Sequence, residues 1–446
     1  MWPNGEWVAG LAATAAVLVA AALGLSAGFV DPVALALVTG ATAIALGAAL
    51  LPPGRSQGGS STAAVFVLAL GLVIGVAHHL VFTPRIAVAA ARTPAFQVAV
   101  ATCAAVLATY AWTSAPRSVR LARFVVLTAL LAVIGALVIL AAPVPRIDVW
   151  HLQQGGALEL AAGNNPYAAS YPNIYGPRTR FIDPSLLNAD GRRITAFPYT
   201  PLTLLLDVPG AIVGDVRWSL LAAVLASAWL IRALGRGSTA SELAAILVLL
   251  QPQGFWVVER AWTEPFSLVT ILVAALLIAR ARGWVMPAAA LGVAAASKQY
   301  MPLLVTPLWL TVPADRRWPA LGVAGVSVAA LMLPFLAWHP AGFVRGLVEY
   351  QVLQPFRPDA LSWPALAVQL GGPVLASWAA FVIAAAVLAV AALRSRTPGQ
   401  AFLAGAASWT AFVLFSKQAF CNYYWLSVGL LCAAASLVSA PPRRAD

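Results

Sequence analysis

Apolar runs of near-bilayer length, separated by short polar breaks, dominate this chain. Five come first: Val8–Phe29, Val33–Leu51, Ala63–Phe82, Ala95–Trp112 and Phe124–Ala142. Each approaches the roughly 20 residues that a helix needs to cross hydrocarbon. Asp31-Pro32 breaks the first run from the second, and links carrying Arg55, Arg85 and Arg92 follow. A long polar, aromatic stretch then runs from Arg146 to Leu202. Beyond it, Thr203–Val213 is apolar but covers only about half a bilayer at ~1.5 Å per residue, as a tilted or re-entrant segment would. Trp218–Leu234, Leu243–Gln251 and Phe266–Ala281 follow. Trp284–Ala296 and Pro302–Val312 are two short halves around Ser297-Lys298-Gln299-Tyr300. Trp318–Leu336, Pro373–Leu393, Ala401–Phe415 and Tyr424–Ala440 complete the pattern. The pattern predicts an all-α polytopic membrane protein with roughly twelve or thirteen transmembrane helices. It divides into N-terminal helices (1–142), a central loop with an interfacial helix (143–202), and C-terminal helices with outer loops (203–446).

Composition agrees. Of 446 residues, 61% are hydrophobic and 9% charged, against roughly 25% charged in soluble proteins. The balance is basic, with 27 Lys+Arg against 15 Asp+Glu. The basic residues are scattered at helix ends and form no stripe, which argues against nucleic acid and for topology. Arg117, Arg120 and Arg123 belong in the cytoplasm by the positive-inside rule. The fifth helix then runs outward, Asp148 emerges on the extracytoplasmic face, and the N-terminus lies inside. Arg85 and Arg92 fall on the outer side, against the rule. Cys103, Cys421 and Cys432 sit in apolar runs without metal spacing and read as packing thiols.

The polar islands carry the candidate chemistry. Asp148 precedes an amphipathic helix expected over Val149–Ala162. It is either that helix's cap or a general base whose pKa a neighbouring apolar phase raises. Gly163-Asn164-Asn165-Pro166-Tyr167 closes the helix. Tyr167, Tyr171, Tyr175 and Tyr199 suit an interfacial belt or a platform for sugar rings. Glu259-Arg260 and Glu264 lie beside Trp256 and Trp262, as a surface ion pair or as part of a site. Lys298, between two short apolar halves, needs an anionic partner, and a lipid phosphate is the natural one. His339, Arg345, Glu349, Arg357 and Asp359 form a third island. Lys417, with Asn422 and Tyr423, repeats the theme, as a snorkelling residue or an anion contact. His78-His79 lacks the spacing of a zinc site, so no metal is expected. There is no Walker loop, GxGxxG or GxSxG, which argues against a cytosolic nucleotide-sugar donor.

In combination, an Asp just after an outward span, Gly163-x-x-Pro166-Tyr167, Phe197-Pro198-Tyr199-Thr200-Pro201-Leu202 and Lys298-Gln299-Tyr300-Met301-Pro302 resemble the GT-C glycosyltransferases, most closely the bacterial mannosyltransferases of glycosyltransferase family 87. The resemblance runs from Arg146 to Tyr424. It implies a plasma-membrane enzyme that moves a sugar, commonly mannose, from a polyprenyl-phosphate donor to a lipid or glycan acceptor on the extracytoplasmic face, with inversion and without metal or other cofactor. By position, Asp148 would be the base. Lys298, Tyr300, Lys417, Arg260 and His151 would hold the donor phosphate. Tyr167, Tyr199, Glu264, Asn422 and Arg357 would contact sugar or acceptor. Five spans before Asp148 exceed the one the GT-C plan usually has, as an accessory or partner-binding unit would. A transporter or flippase of lipid-linked glycans, or a non-catalytic scaffold of envelope synthesis, would use the same outer cleft without a catalytic carboxylate.

Overall fold

The computed structural model describes residues 5–52, 61–81, 93–111, 115–280 and 283–440. The links expected to carry Arg55, Arg85 and Arg92, and the basic residues Arg282, Arg443 and Arg444, lie outside them. The chain begins with five long helices: α1 (Gly5–Ser26), α2 (Pro32–Leu50), α3 (Thr62–Val81), α4 (Pro94–Ala108) and α5 (Arg117–Ala141). Their starts follow local chemistry. Asp31 accepts a hydrogen bond from the Ala34 N–H at 2.8 Å and Pro32 opens α2; Thr93 and Pro94 do the same for α4.

Next come α6 (Asp148–Ala161) and a tightly turned segment holding the only described strands, β1 (Tyr171–Pro172) paired antiparallel with β2 (Arg193–Ile194). Gly163, at φ +82°, ends α6 in the left-handed conformation that glycine adopts freely. The expected helix starts one residue early: Asp148 is its first residue and Ile147 its cap. The short apolar run of the sequence is α7 (Pro201–Ile212), which packs along α6. Leu152, Tyr167, Tyr171, Phe197 and Leu204 give this part its own apolar cluster.

The chain continues through α8 (Arg217–Leu234), α9 (Thr239–Leu250), α10 (Gly254–Glu259) and α11 (Glu264–Arg280). Then α12 (Val285–Ala295) and α13 (Pro302–Trp309) form a hairpin of two short helices turning at Ser297–Met301. The long α14 (Arg317–Trp338) leads to α15 (Pro340–Val344), a π-helical turn over Arg345–Glu349, and α16 (Tyr350–Leu353). After α17 (Trp363–Gln369), three helices finish the described chain: α18 (Trp378–Ala392), α19 (Pro398–Leu414) and α20 (Cys421–Val438).

Eight described helices are long and apolar enough to cross a membrane: α1–α3, α5, α8 and α20, with α4 and α14 counted together with the short 3-10 turns that adjoin them. The protein is therefore an all-α polytopic membrane protein. The first and last described helices pack together. Along with α2, α3, α9 and α19, they share one apolar core, in which α1 contributes Ala9, Ala12, Ala16 and Val19 and α20 contributes Trp425, Leu426 and Leu430. The bundle has two distinct ends. At one lie α6, α10, the α12–α13 turn and α16 around a cavity. At the other the helices end in arginines.

Candidate functional site

The cavity holds about 720 Å³. Asp148, Arg146, Tyr175 and Tyr199 line it from the central segment. Arg260, Glu264, Lys298 and Tyr300 reach it from α10, α11 and the hairpin turn. Arg357, Lys417 and Asn422 come from the later loops and the start of α20. Residues separated by more than 250 positions thus face one space.

Asp148 opens α6, where unpaired N–H groups favour a carboxylate. Its Oδ1 accepts from the Tyr175 hydroxyl at 3.0 Å and from the Val149 N–H at 3.0 Å. Desolvation in the cavity raises its pKa above the ordinary carboxylate value; the Tyr175 and backbone hydrogen bonds and the charge of Arg357 pull the other way. Among the described residues no ion pair joins Asp148 to Arg146. The Arg146 carbonyl instead accepts from Arg260 Nη1 at 3.0 Å.

The orientation of α6 is fixed from behind. Gln153, fully buried, donates to the Ala261 carbonyl at 2.5 Å, and Trp150 Nε1 donates to Asp215 Oδ1 at 3.1 Å. Arg217, also fully buried, pairs with Asp215 at 2.5 Å and donates to the Ile139 carbonyl at 3.3 Å, tying the end of α5 to the start of α8. Gln253 and Ala261, at φ 65° and 53°, hold α10 between two left-handed residues. Such backbone is uncommon for side chains of this kind and is kept where surroundings enforce it.

Lys298 meets the side chain of Glu264, to which Tyr300 also donates at 3.0 Å. The anionic partner expected to be a lipid phosphate is supplied within the fold, by a wholly buried glutamate at the start of α11. The other carboxylate oxygen of Glu264 has no hydrogen-bond partner among the described residues. The Lys298 ammonium also faces the rings of Tyr300 and Tyr423, at 5.2 and 5.8 Å. Tyr300 in turn packs on Trp409, centroids 4.2 Å apart. The turn is pinned because Thr200 and Thr203 both donate to the Ser297 carbonyl, at 2.8 and 2.9 Å.

Arg357 sits between the rings of Phe181 and Phe420, 4.7 Å from each, and is paired with Asp359 at 2.8 Å. Lys417 donates to the Val352 carbonyl at 2.8 Å, and desolvation lowers its pKa. The polar floor therefore carries one raised carboxyl, several cations and few free acids. Its flank is apolar: Phe381 of α18 lines the cavity and is 56% exposed.

Two expected site residues stand apart. Tyr167 is a core residue. Its ring is enclosed by Phe197, Phe335 and Phe343, and its hydroxyl donates to the Tyr199 carbonyl at 2.7 Å. His151 packs edge-on against Trp150 and does not line the cavity. Conversely, Trp409 takes part without having been singled out, beside Tyr175 and Tyr423, which the sequence marks only within groups. Tyr175 belongs to the aromatic series of the central stretch, whereas Trp409 lies between Ser408 and Thr410 inside an apolar run with no charged residue beside it to mark it. No family model matches the chain, and neither a curated protein nor a solved structure matches it.

Proposed function

We propose that this protein is a membrane glycosyltransferase of GT-C type. It transfers a sugar, mannose being the favoured candidate, from a polyprenyl-phosphate donor to a lipid or glycan acceptor. The observation that carries this is the cavity itself: one carboxyl with a raised pKa shares with several cations a space that has an apolar flank at Phe381 and Phe412. A lipid-linked substrate needs that apolar flank. A phosphate leaving group needs the cations.

In this reading Asp148 takes the proton of an acceptor hydroxyl. The oxygen attacks the anomeric carbon, the bond from that carbon to the phosphate oxygen breaks, and polyprenyl phosphate departs with the electron pair. Lys298, Lys417, Arg260 and Arg357 would stabilise the charge that develops there, an electrostatic term that is large in a site of low dielectric. Glu264, Tyr199 and Asn422 would orient sugar or acceptor, with Tyr300 beside Lys298. No metal is invoked. The arginine-rich end would face the cytoplasm and the cavity the outer face of the plasma membrane, with roughly a dozen crossings and α12–α13 as a re-entrant pair.

The test is transfer by purified protein in vesicles supplied with radiolabelled polyprenyl-phosphate sugar. Asp148→Asn is expected to lower turnover by about 10²–10⁴-fold, the usual contribution of a general base, at unchanged expression. Wild-type protein that moves lipid-linked glycan across the bilayer without releasing polyprenyl phosphate would favour a flippase and overturn the proposal.

A further inference from the structure

The arginine-rich end of the bundle encloses a second cavity, of about 1090 Å³. Arg117 and Arg120 enter it from the first turns of α5, Arg236 from the α8–α9 link, Arg280 from the end of α11, and Arg396 from the α18–α19 link. None of the described residues that line it is acidic. Topological arginines need only reach the aqueous side, and they gain by spreading apart. These converge from four separate parts of the chain on one space, where like charges repel.

The hydrogen bonds of two of them go to neutral groups. Arg280 donates to the Ala233 carbonyl at 2.7 Å and Arg120 to the Gly237 carbonyl at 3.4 Å; both partners are neutral backbone. Arg120 Nε is buried and without a hydrogen-bond partner among the described residues. Glu242, which does not line the cavity, is paired with Arg232 at 3.0 Å and also feels the charge of Arg120. The remaining wall is greasy, with Leu276, Ile278 and Leu437 below the guanidinium groups.

From this arrangement we propose that the second cavity binds a phosphate-bearing polyanion. Planar guanidinium forks match phosphate oxygens pairwise, and basic pockets between transmembrane helices suit anionic lipid headgroups. A multiply phosphorylated headgroup with its chains along the leucines, or a soluble polyphosphate, would offer the same chemistry. The site lies at the opposite end of the bundle from the glycosyltransferase cavity and does not depend on that assignment.

The experiment uses the full chain in phosphatidylcholine nanodiscs. Thermal unfolding and native mass spectrometry are followed as cardiolipin or inorganic pyrophosphate is added. A ligand that binds only the folded state raises Tm by mass action. Arg117 and Arg396 are exposed, so R117Q/R396Q is the test variant, R178Q/R192Q a control for charge removed elsewhere, and R117K/R396K a control for charge retained. The expected result is stabilisation by at least one of the two anions, with apparent affinity at least tenfold weaker in R117Q/R396Q, unchanged in R178Q/R192Q and partly kept in R117K/R396K. A shift by cardiolipin alone assigns a lipid headgroup; a shift by pyrophosphate that also competes with cardiolipin assigns a soluble phosphate. The proposal is overturned if neither anion stabilises the wild-type protein, or if R117Q/R396Q responds as the wild type does. Should R117Q/R396Q fail to fold, the single variant R396Q replaces it, and a response to both anions equal to that of the wild type overturns the proposal.

Discussion

Asp148 and Tyr175 form the most informative pair at the level of single residues. The tyrosine hydroxyl donates to the carboxylate and so favours its ionised form, while desolvation opposes it. If Asp148 is the base proposed above, it must be ionised to act, and activity falls as pH drops through its pKa. Removing the hydroxyl raises that pKa further. Tyr175→Phe should therefore move the acid limb of the pH–rate profile to higher pH and leave the plateau above it largely intact. A uniform loss at every pH would show that Tyr175 only shapes the cavity. The sequence marks Asp148 by its place after an apolar run, and Lys298 by its isolation. It cannot show that Lys298 is met by Glu264, because the pairing depends on how α11 packs against the α12–α13 turn. Tyr167 misleads for a related reason: an aromatic ring in a polar stretch looks interfacial until the stretch is seen to have a core of its own.

Among the elements, α6 depends most on its supports. Asp215 and Arg217 are buried together, and the arginine also reaches the carbonyl of Ile139. Breaking such a pair leaves an uncompensated buried charge, which costs about 3–5 kcal/mol. Arg217→Ala should lower the unfolding midpoint accordingly, and the loss should appear in α6 first, as faster hydrogen exchange around Trp150 and Gln153. Exchange unchanged in α6 would show that Asp215 is neutralised in another way. Close packing adds a second support. A side chain at Gly346 would strike the Phe197 carbonyl oxygen, so the π-helical turn and the central segment touch backbone to backbone. Hydropathy located most helices but not their ends. The expected run from Phe124 begins structurally at Arg117, because arginines stay helical while their charges lie beyond the apolar zone. The short run expected over Thr203–Val213 became α7, which packs along α6.

For the whole molecule, the N-terminal helices are not a separable annex. The turn after α1 bridges the loop before α17, with the Val30 N–H donating to the Asp359 carbonyl at 3.0 Å. Phe29 stands 6.2 Å from Phe420 and lines the same cavity as Asp148. Deleting residues 1–142 is therefore expected to abolish folding of the remainder, read as loss of monodisperse protein in detergent rather than as loss of a partner. A folded, active remainder would restore the accessory-unit view. The three-part division was legible as a pattern of polarity. That its outer parts share one core was not, since α1 and α20 carry no mark of each other in sequence; alanines at Ala9, Ala12 and Ala16 simply allow a close neighbour.

The contact between α1 and α20 also sets an order on biogenesis. The ribosome delivers α1 long before α20, yet much of the inner surface of α1 is covered by that last helix. Until synthesis reaches Cys421–Val438, α1 must wait in the bilayer with its small-residue face against lipid or an insertion factor. The cavity cannot close over its ligands in that interval, because Phe420 and Asn422 have not been made. Assembly of this space is thus timed to the synthesis of α20, and a nascent chain released before Cys421–Val438 would be inserted and helical but would lack the cavity.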